Sequence, residues 1–242
     1  MGRLNWLVAE VVEVVPETQR VKTIRFEVPG WAGHLPGQHV DVRLTAEDGY
    51  QTERSYSIAS APDRTRVDLT VERLDDGEVS PYLTEELRPG DGIELRGPVG
   101  GYFVWEASRD GPLFLVAGGS GIVPLMAMLR HREAVGSDVP AVLLFSSRSW
   151  DDVIYRDELE RLSGDGLRIV HTLTRSQPEG WTGFARRVDA AMLEEVAPRA
   201  SDPPQIFVCG PTPLVEAVAG ELVQLGHDPS RIKTERFGPT GG

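Results

Sequence analysis

Residues 112–129 read PLFLVAGGSGIVPLMAML, an eighteen-residue run without a charge. Its length just suffices to cross a bilayer. Three glycines and a proline in mid-run argue for another reading, because they cut the stretch into a short apolar strand, a tight turn and the start of a helix. Charge returns at once in Arg130, Arg132 and Glu133. The segment therefore reads as a buried strand–turn–helix and not as a membrane span. The same texture continues to the end of the chain. Apolar runs LFLVA, AVLLFS, LRIVHT and QIFVC are each followed by a helix-like segment: VPLMAMLRHREA, DVIYRDELERL, RRVDAAMLEEV and PLVEAVAGELVQL. Strands without polar alternation are buried on both faces, as in a parallel sheet, and strand–helix alternation builds βαβ units.

Before about Trp105 the period is two. Val67, Leu69 and Val71 share one face of VDLTV, opposite Asp68 and Thr70, and Val40, Val42 and Leu44 do the same in HVDVRL. Similar segments are Trp6–Val15, Val21–Val28, Ser55–Ala59 and Gly92–Leu95. PGWAG, EDG, APD, DDG and RPGDG separate them as turns. Six short strands with regular turns predict a small antiparallel barrel. The stretch WEASRDGP marks the junction between the halves.

Composition narrows the function. The chain has 242 residues, 40% of them hydrophobic, enough to fill a real core. A net charge of −12 disfavours nucleic acid as a partner. Cys209 is the only cysteine, which excludes a disulfide framework, a Cys-rich zinc site and an iron–sulfur cluster within these residues. The five histidines show no ligand spacing, so no metal site is expected. No signal peptide or myristoylation motif opens the sequence, and the expected location is cytoplasmic with no membrane contact.

Three motifs carry chemistry. Gly118–Gly121 read GGSG at a strand-to-helix turn, where free amide N–H groups can meet phosphate. A tight turn needs glycine in any case, so both readings stand. Ser120 is not a hydrolase nucleophile, because the elbow pattern needs glycine where Ile122 stands. Residues 54–60 read RSYSIAS: arginine can fork onto phosphate, a tyrosine ring can stack, and a serine hydroxyl can meet a ring nitrogen. An ordinary strand with a surface arginine and a core tyrosine is the plain alternative. GEVSPYL (77–83) is a glycine turn into a helix start with an exposed Ser80.

Taken in order, RxYS, GxxS, GPxG, GGxGxxP, CGP and ExF resemble the ferredoxin–NADP(+) reductase superfamily of flavoproteins, from Trp6 to Phe237. The resemblance implies two domains: a six-stranded antiparallel β-barrel binding flavin over residues 1–107, and an α/β domain with a five-stranded parallel sheet binding NAD(P) over 108–242. It implies FAD held by Arg54 on the phosphates, by Ser55, by Tyr56 stacking on the ring and by Ser57 near flavin N5. Gly77, Val79 and Ser80 match the turn over the pyrophosphate, and Val71, Glu72 and Arg73 the strand beside it. On the nucleotide side it implies Gly119, Ser120, Gly121 and Pro124, then Cys209, Gly210 and Pro211 against the nicotinamide. Glu235 and Phe237 match the terminal acid and aromatic, with Ser57, Cys209 and Glu235 nearest the chemistry.

The function so implied is an FAD-dependent NAD(P)H oxidoreductase. The cofactors carry the reaction and the protein aligns them, nicotinamide C4 within about 3–3.5 Å of flavin N5, so no catalytic triad is needed. Ser147 and Arg148, with Arg156 or Arg175 as helpers, favour NADPH over NADH; Asp151 and Asp152 pull the other way. The acceptor is expected to be separate: a ferredoxin, a flavodoxin, an oxygenase component or free flavin, met by a basic patch at Arg64, Arg66, Arg73 and Arg88. An electron-transfer flavoprotein subunit of a larger complex with little activity alone, or a non-catalytic flavin- or nucleotide-binding sensor, are the alternatives. Phe237 is expected to cover the flavin and swing aside for nicotinamide, eased by the tail GPTGG.

Overall fold

A computed structural model describes residues 5–108, 110–164 and 166–237. The chain divides into two compact units, one formed by residues up to Trp105 together with Met126–His131, the other by the remainder.

The first unit holds β1 (Trp6–Pro16), β2 (Val21–Glu27), β3 (His39–Thr45), β4 (Gln51–Ser57), β5 (Arg66–Glu72) and β6 (Gly92–Val99). All pair antiparallel, in the order β4-β3-β6-β1-β2-β5. The two ends of this sheet meet just past β4, where Ile58 bridges to Leu69 and the Ala59 amide donates to the Asp68 carbonyl at 2.8 Å. The expected barrel is therefore present. Its alternation is physical: Val40, Val42, Val67, Leu69 and Val71 are fully buried with Ile24, Phe26 and Leu95. Each such side chain taken out of water contributes about 1.5–3 kcal/mol. Val79, Leu83 and Leu87 join the same core, so the segment from Gly77 to Leu87 caps the barrel, with a single π-helical turn at Tyr82–Glu86.

The rest of the chain runs β7 (Leu113–Gly118), α1 (Ile122–Ala134, whose middle is grouped with the first unit), β8 (Ala141–Ser147), α2 (Arg156–Leu162), β9 (Leu167–Leu173), α3 (Ala190–Val196), β10 (Gln205–Pro211), α4 (Thr212–Gln224) and β11 (Ile232–Phe237). Every strand pairing is parallel, in the order β11-β10-β7-β8-β9. This is the five-stranded sheet expected, and β7 is buried along its whole length. α3 and α4 cover one face, where Met192, Leu193, Val215, Val218 and Leu222 pack with Phe114, Val116, Ile206 and Val208. Among the described residues no helix is long and apolar enough to cross a membrane.

Two helices are shorter than the sequence pattern predicts. α2 starts only at Arg156 because Tyr155 has a left-handed backbone, φ 60°. α3 starts only at Ala190 because the Asp189 side chain accepts from the Met192 amide at 2.9 Å, an N-cap that fixes the helix origin. Arg186 and Arg187 stay in the loop.

Candidate functional site

In the first unit the strand β4 presents a polar face. By alternation Thr52, Arg54 and Tyr56 point one way, and Ser55 the other. Arg54 is exposed and its Nη2 donates to Glu78 Oε2 at 3.1 Å. Glu78 also accepts from Thr52 Oγ1 and from the Tyr50 hydroxyl, both at 3.2 Å. One carboxylate thus ties β4 to the Gly77–Ser80 turn. The sequence reading passed over Glu78, whose only signal is its place inside the GxxS spacing.

Tyr56 is half-buried and packs against the barrel core. Burial pushes its phenol up to about 12, against the opposing pull of Arg54, so the ring stays neutral. Ser57 ends β4 opposite His39. Ser55 turns away from this group: its hydroxyl donates to Asp41 at 2.7 Å. There it joins Arg96, which holds Asp41 at 2.9 Å and Glu53 at 3.2 Å, and Arg43, which grips Glu94 with two nitrogens. The Arg43 and Arg96 guanidinium groups lie 4.2 and 4.6 Å from the Trp6 ring centre.

Ser80 is buried, not exposed as its motif suggested. Its Oγ accepts from the Leu74 amide at 3.0 Å, and its carbonyl accepts from Thr84 Oγ1 at 2.7 Å. The hydroxyl is used to hold the turn. Gly77 has no room for a side chain: a Cβ would stand 2.8 Å from Ser80 Oγ and 3.2 Å from the Leu74 carbonyl oxygen. Val71 lies in the core beside half-buried Glu72. Arg73 is bound by Glu85 and, at 2.9 Å, by Asp75. Arg66 reaches Glu27 at 4.0 Å. Arg66 and Arg73 of the expected basic patch are therefore met by acids of this chain.

In the second unit the strand order reverses between β7 and β10, since β7 leads outward to β8 and β10 outward to β11. Crevices at such reversals, beyond the carboxyl ends of the strands, are where open α/β sheets bind ligands. Gly118–Gly121 leave β7 at that point, and Cys209, Gly210 and Pro211 end β10 beside them. The approach is close. A Cβ on Gly121 would lie 2.1 Å from the Cys209 carbonyl oxygen, so only glycine lets the turn pass.

Register carries Glu235 next to Cys209 and Phe237 next to Pro211. Burial pushes the Glu235 carboxyl up to about 7, and its Oε2 has no hydrogen-bond partner. Burial first, and the Glu235 charge second, push the Cys209 thiol well up, so it is neutral. The tail 238–242 lies outside the described residues.

On the other flank Gly118 pairs with Ser146, placing Ser147 and Arg148 one strand over. Ser147 is buried with its Oγ unpartnered. The Arg148 carbonyl accepts from the Arg175 amide at 2.8 Å, which brings two exposed arginines together. Neither guanidinium has a carboxylate partner among the described residues. Arg156 does, reaching Asp157 at 3.8 Å. Sequence reading also missed an aromatic group beyond this edge: Trp150 lies 5.2 Å from the His171 ring and 5.5 Å from Trp181. Burial pulls His171 down to about 4, so it is neutral.

Residues 8–104 match the family described as Oxidoreductase FAD-binding domain, and residues 115–220 the one described as Oxidoreductase NAD-binding domain. Ferredoxin--NADP reductase B of Sorangium cellulosum is 37% identical over 240 residues, covering 95% of this chain and 96% of that protein. The chain belongs to the ferredoxin–NADP(+) reductase-like superfamily. Another relative in this superfamily is the glycine betaine monooxygenase reductase subunit of Pseudomonas aeruginosa, 37% identical over 239 residues and 95% of this chain. This chain spans 63% of that protein's length. The fold is shared with the flavohem-like FAD/NAD binding domain of nitric oxide dioxygenase from Vibrio cholerae. That likeness has a TM-score of 0.87 at 24% identity, over 96% of this chain and 99% of the other.

The residues of this superfamily member fit both of its cofactors. On the barrel, an exposed arginine, two hydroxyls and a neutral aromatic ring form a donor set suited to phosphate and a flat ring. On the sheet, the orphaned Ser147 Oγ and the neighbouring exposed arginines suit an anionic nucleotide.

Proposed function

We propose that this chain is an FAD-dependent NAD(P)H oxidoreductase that draws electrons from NADPH and delivers them to a separate carrier, a ferredoxin or an oxygenase component. The reading rests above all on the sheet reversal, where the close-packed Gly118–Gly121 turn stands beside Cys209–Pro211. The matching FAD- and NAD-binding families support it, as do relatives named as reductases of ferredoxin and of a monooxygenase.

When bound, the flavin supplies the redox chemistry, taking two electrons together and releasing them singly. This chain's residues bind and orient. Arg54 would hold flavin phosphate, Tyr56 would offer its neutral ring and Ser57 would offer its hydroxyl to the ring. The turn Gly77–Val79–Ser80 caps the pyrophosphate through its backbone, since the Ser80 hydroxyl is turned inward. Glu72 and Arg73 would flank it while Val71, in the core, only anchors their strand, and Ser55 would contribute only main chain, its hydroxyl being held by Asp41. Gly119, Ser120 and Gly121 receive nucleotide phosphate. The neutral Cys209 thiol, with Gly210 and Pro211, would border the nicotinamide without setting a charge against it. Glu235, its carboxyl raised to about 7 by burial, can carry a proton near neutral pH. Phe237 ends β11 beside Pro211.

NADPH is favoured over NADH by Ser147 and by the Arg148–Arg175 pair; Arg156, already held by Asp157, is the weaker helper. The experiment is direct. The purified protein should be yellow, release FAD and bleach with NADPH in the absence of air. Arg148→Ala should weaken NADPH use and leave NADH use in place. A folded, colourless protein that refuses added flavin sinks the proposal. The relatives named as subunits favour a second reading, an electron-transfer subunit; reduction of ferricyanide with no turnover of any single carrier supports that version.

A further inference from the structure

The Glu78 carboxylate is gathered by three donors on the β4 side: Arg54 Nη2 at 3.1 Å, Thr52 Oγ1 at 3.2 Å and the Tyr50 hydroxyl at 3.2 Å. It sits between Gly77 and Val79, inside the turn that the proposed function puts over flavin pyrophosphate. A carboxylate and a phosphate ask for the same thing, a forked guanidinium and nearby hydroxyls. Here both would ask it of Arg54.

The neighbouring cations offer no substitute. Arg73 is engaged by Glu85 and Asp75, and Arg20 by Asp75 and the Arg73 carbonyl. Arg43 and Arg96 are spent on Glu94, Asp41 and Glu53, on the side of β4 to which Ser55 points. A net charge of −12 adds no general attraction for an anionic ligand.

We propose that Glu78 is an internal competitor for the flavin phosphates, so that FAD affinity is set by the exchange of Arg54 from Glu78 to phosphate. The inference rests on the flavin assignment of the proposed function. Entry of FAD separates Arg54 and its two hydroxyl neighbours from Glu78 and leaves two anions near each other, which lowers affinity and makes the flavin exchangeable. Because both partners of the ion pair are about half exposed, the effect is modest and sensitive to salt.

The test is an FAD titration followed by flavin fluorescence, on the full chain, for the parent, Glu78→Gln and Glu47→Gln. Glutamine keeps the size of Glu78 and its acceptor for Tyr50 and Thr52 but removes the charge. Glu47 is an exposed acid in the turn between β3 and β4, so its variant matches the change in net charge. Glu78→Gln should tighten FAD about 2- to 5-fold at low ionic strength, the size of an exposed ion-pair effect. Glu47→Gln should stay within about twofold, and the gain should shrink at about 0.5 M salt. Inorganic pyrophosphate should compete with FAD more strongly in Glu78→Gln than in the parent. Equal or weaker FAD binding by Glu78→Gln, or an equal gain from Glu47→Gln, overturns the inference and leaves the flavin assignment intact. No FAD binding by any of the three overturns that assignment and the inference with it.

Discussion

Replacing Gly121 with alanine tests the reasoning about the sheet reversal most sharply. The added Cβ would meet main chain alone: the Cys209 oxygen at 2.1 Å, its carbonyl carbon at 2.5 Å and the Gly210 nitrogen at 2.8 Å. Ordinary contact begins near 3.4 Å, so the turn must retreat from β10 by about 1.3 Å. No flexible side chain can give way. Overpacking of this kind costs about 1–3 kcal/mol, and in a chain of this size about 2–4 °C of Tm per kcal/mol. A drop of several degrees is expected. The retreat also moves the Gly118–Gly121 amides, so binding of adenosine 2′,5′-bisphosphate, read by tryptophan fluorescence, should weaken about tenfold or more, as expected when positioning shifts by about 1 Å. FAD content should be unchanged, because the barrel residues are untouched. Gly119→Ala is the companion: its Cβ meets nothing within 4 Å, and its φ of +53° costs an alanine only about 1–2 kcal/mol of backbone strain. If Gly121→Ala melts within about 1 °C of the parent and binds the bisphosphate within about twofold, the close-approach argument is refuted.

Other outcomes follow from the same geometry. The Glu235 carboxyl, raised to about 7 by burial, favours the protonated folded state, so its contribution is present at low pH and is lost as pH climbs from about 4.5 to 7. Glu235→Gln should flatten that decline and raise Tm at pH 8 relative to the parent; parallel pH–Tm curves would contradict it. Tyr56→Phe should bind FAD as the parent does, since the phenol is never ionised near neutrality. Tyr56→Ala should weaken FAD by roughly the 1–3 kcal/mol typical of ring stacking, measured by flavin fluorescence. Asp189→Ala removes the cap of α3 and its tie to Arg186, and should cost about 1 kcal/mol in denaturant unfolding with an unchanged m-value.

Much of the architecture was legible in the residues. VDLTV and HVDVRL alternate because one face of a barrel strand meets the core and the other meets water, and both became strands with buried valines and Leu69. LFLVA and QIFVC do not alternate because parallel strands are covered on both faces, and both lie buried. Helix starts were less legible. The pattern continues through Val153 and Val188, but a left-handed Tyr155 and an Asp189 cap decide the boundary, and neither changes the hydrophobic rhythm. Ser80 read as exposed because serine usually is; its burial comes from a hydrogen bond to Leu74, six residues back.

The chain's own order of residues determined which strands alternate, where glycine permits a tight turn, and which side chains can pair with phosphate or stack on a ring. Those are local properties, set by side-chain chemistry and a period of two or 3.6 residues. Which of them meet was decided only by tertiary structure. Glu78 reaches Arg54 across 24 positions, Arg175 comes beside Arg148, and β10–β11 register sets Glu235 beside Cys209, where burial raises its carboxyl. Such neighbours depend on strand order and burial, and a linear pattern records neither the partner across a sheet nor the water removed when it closes.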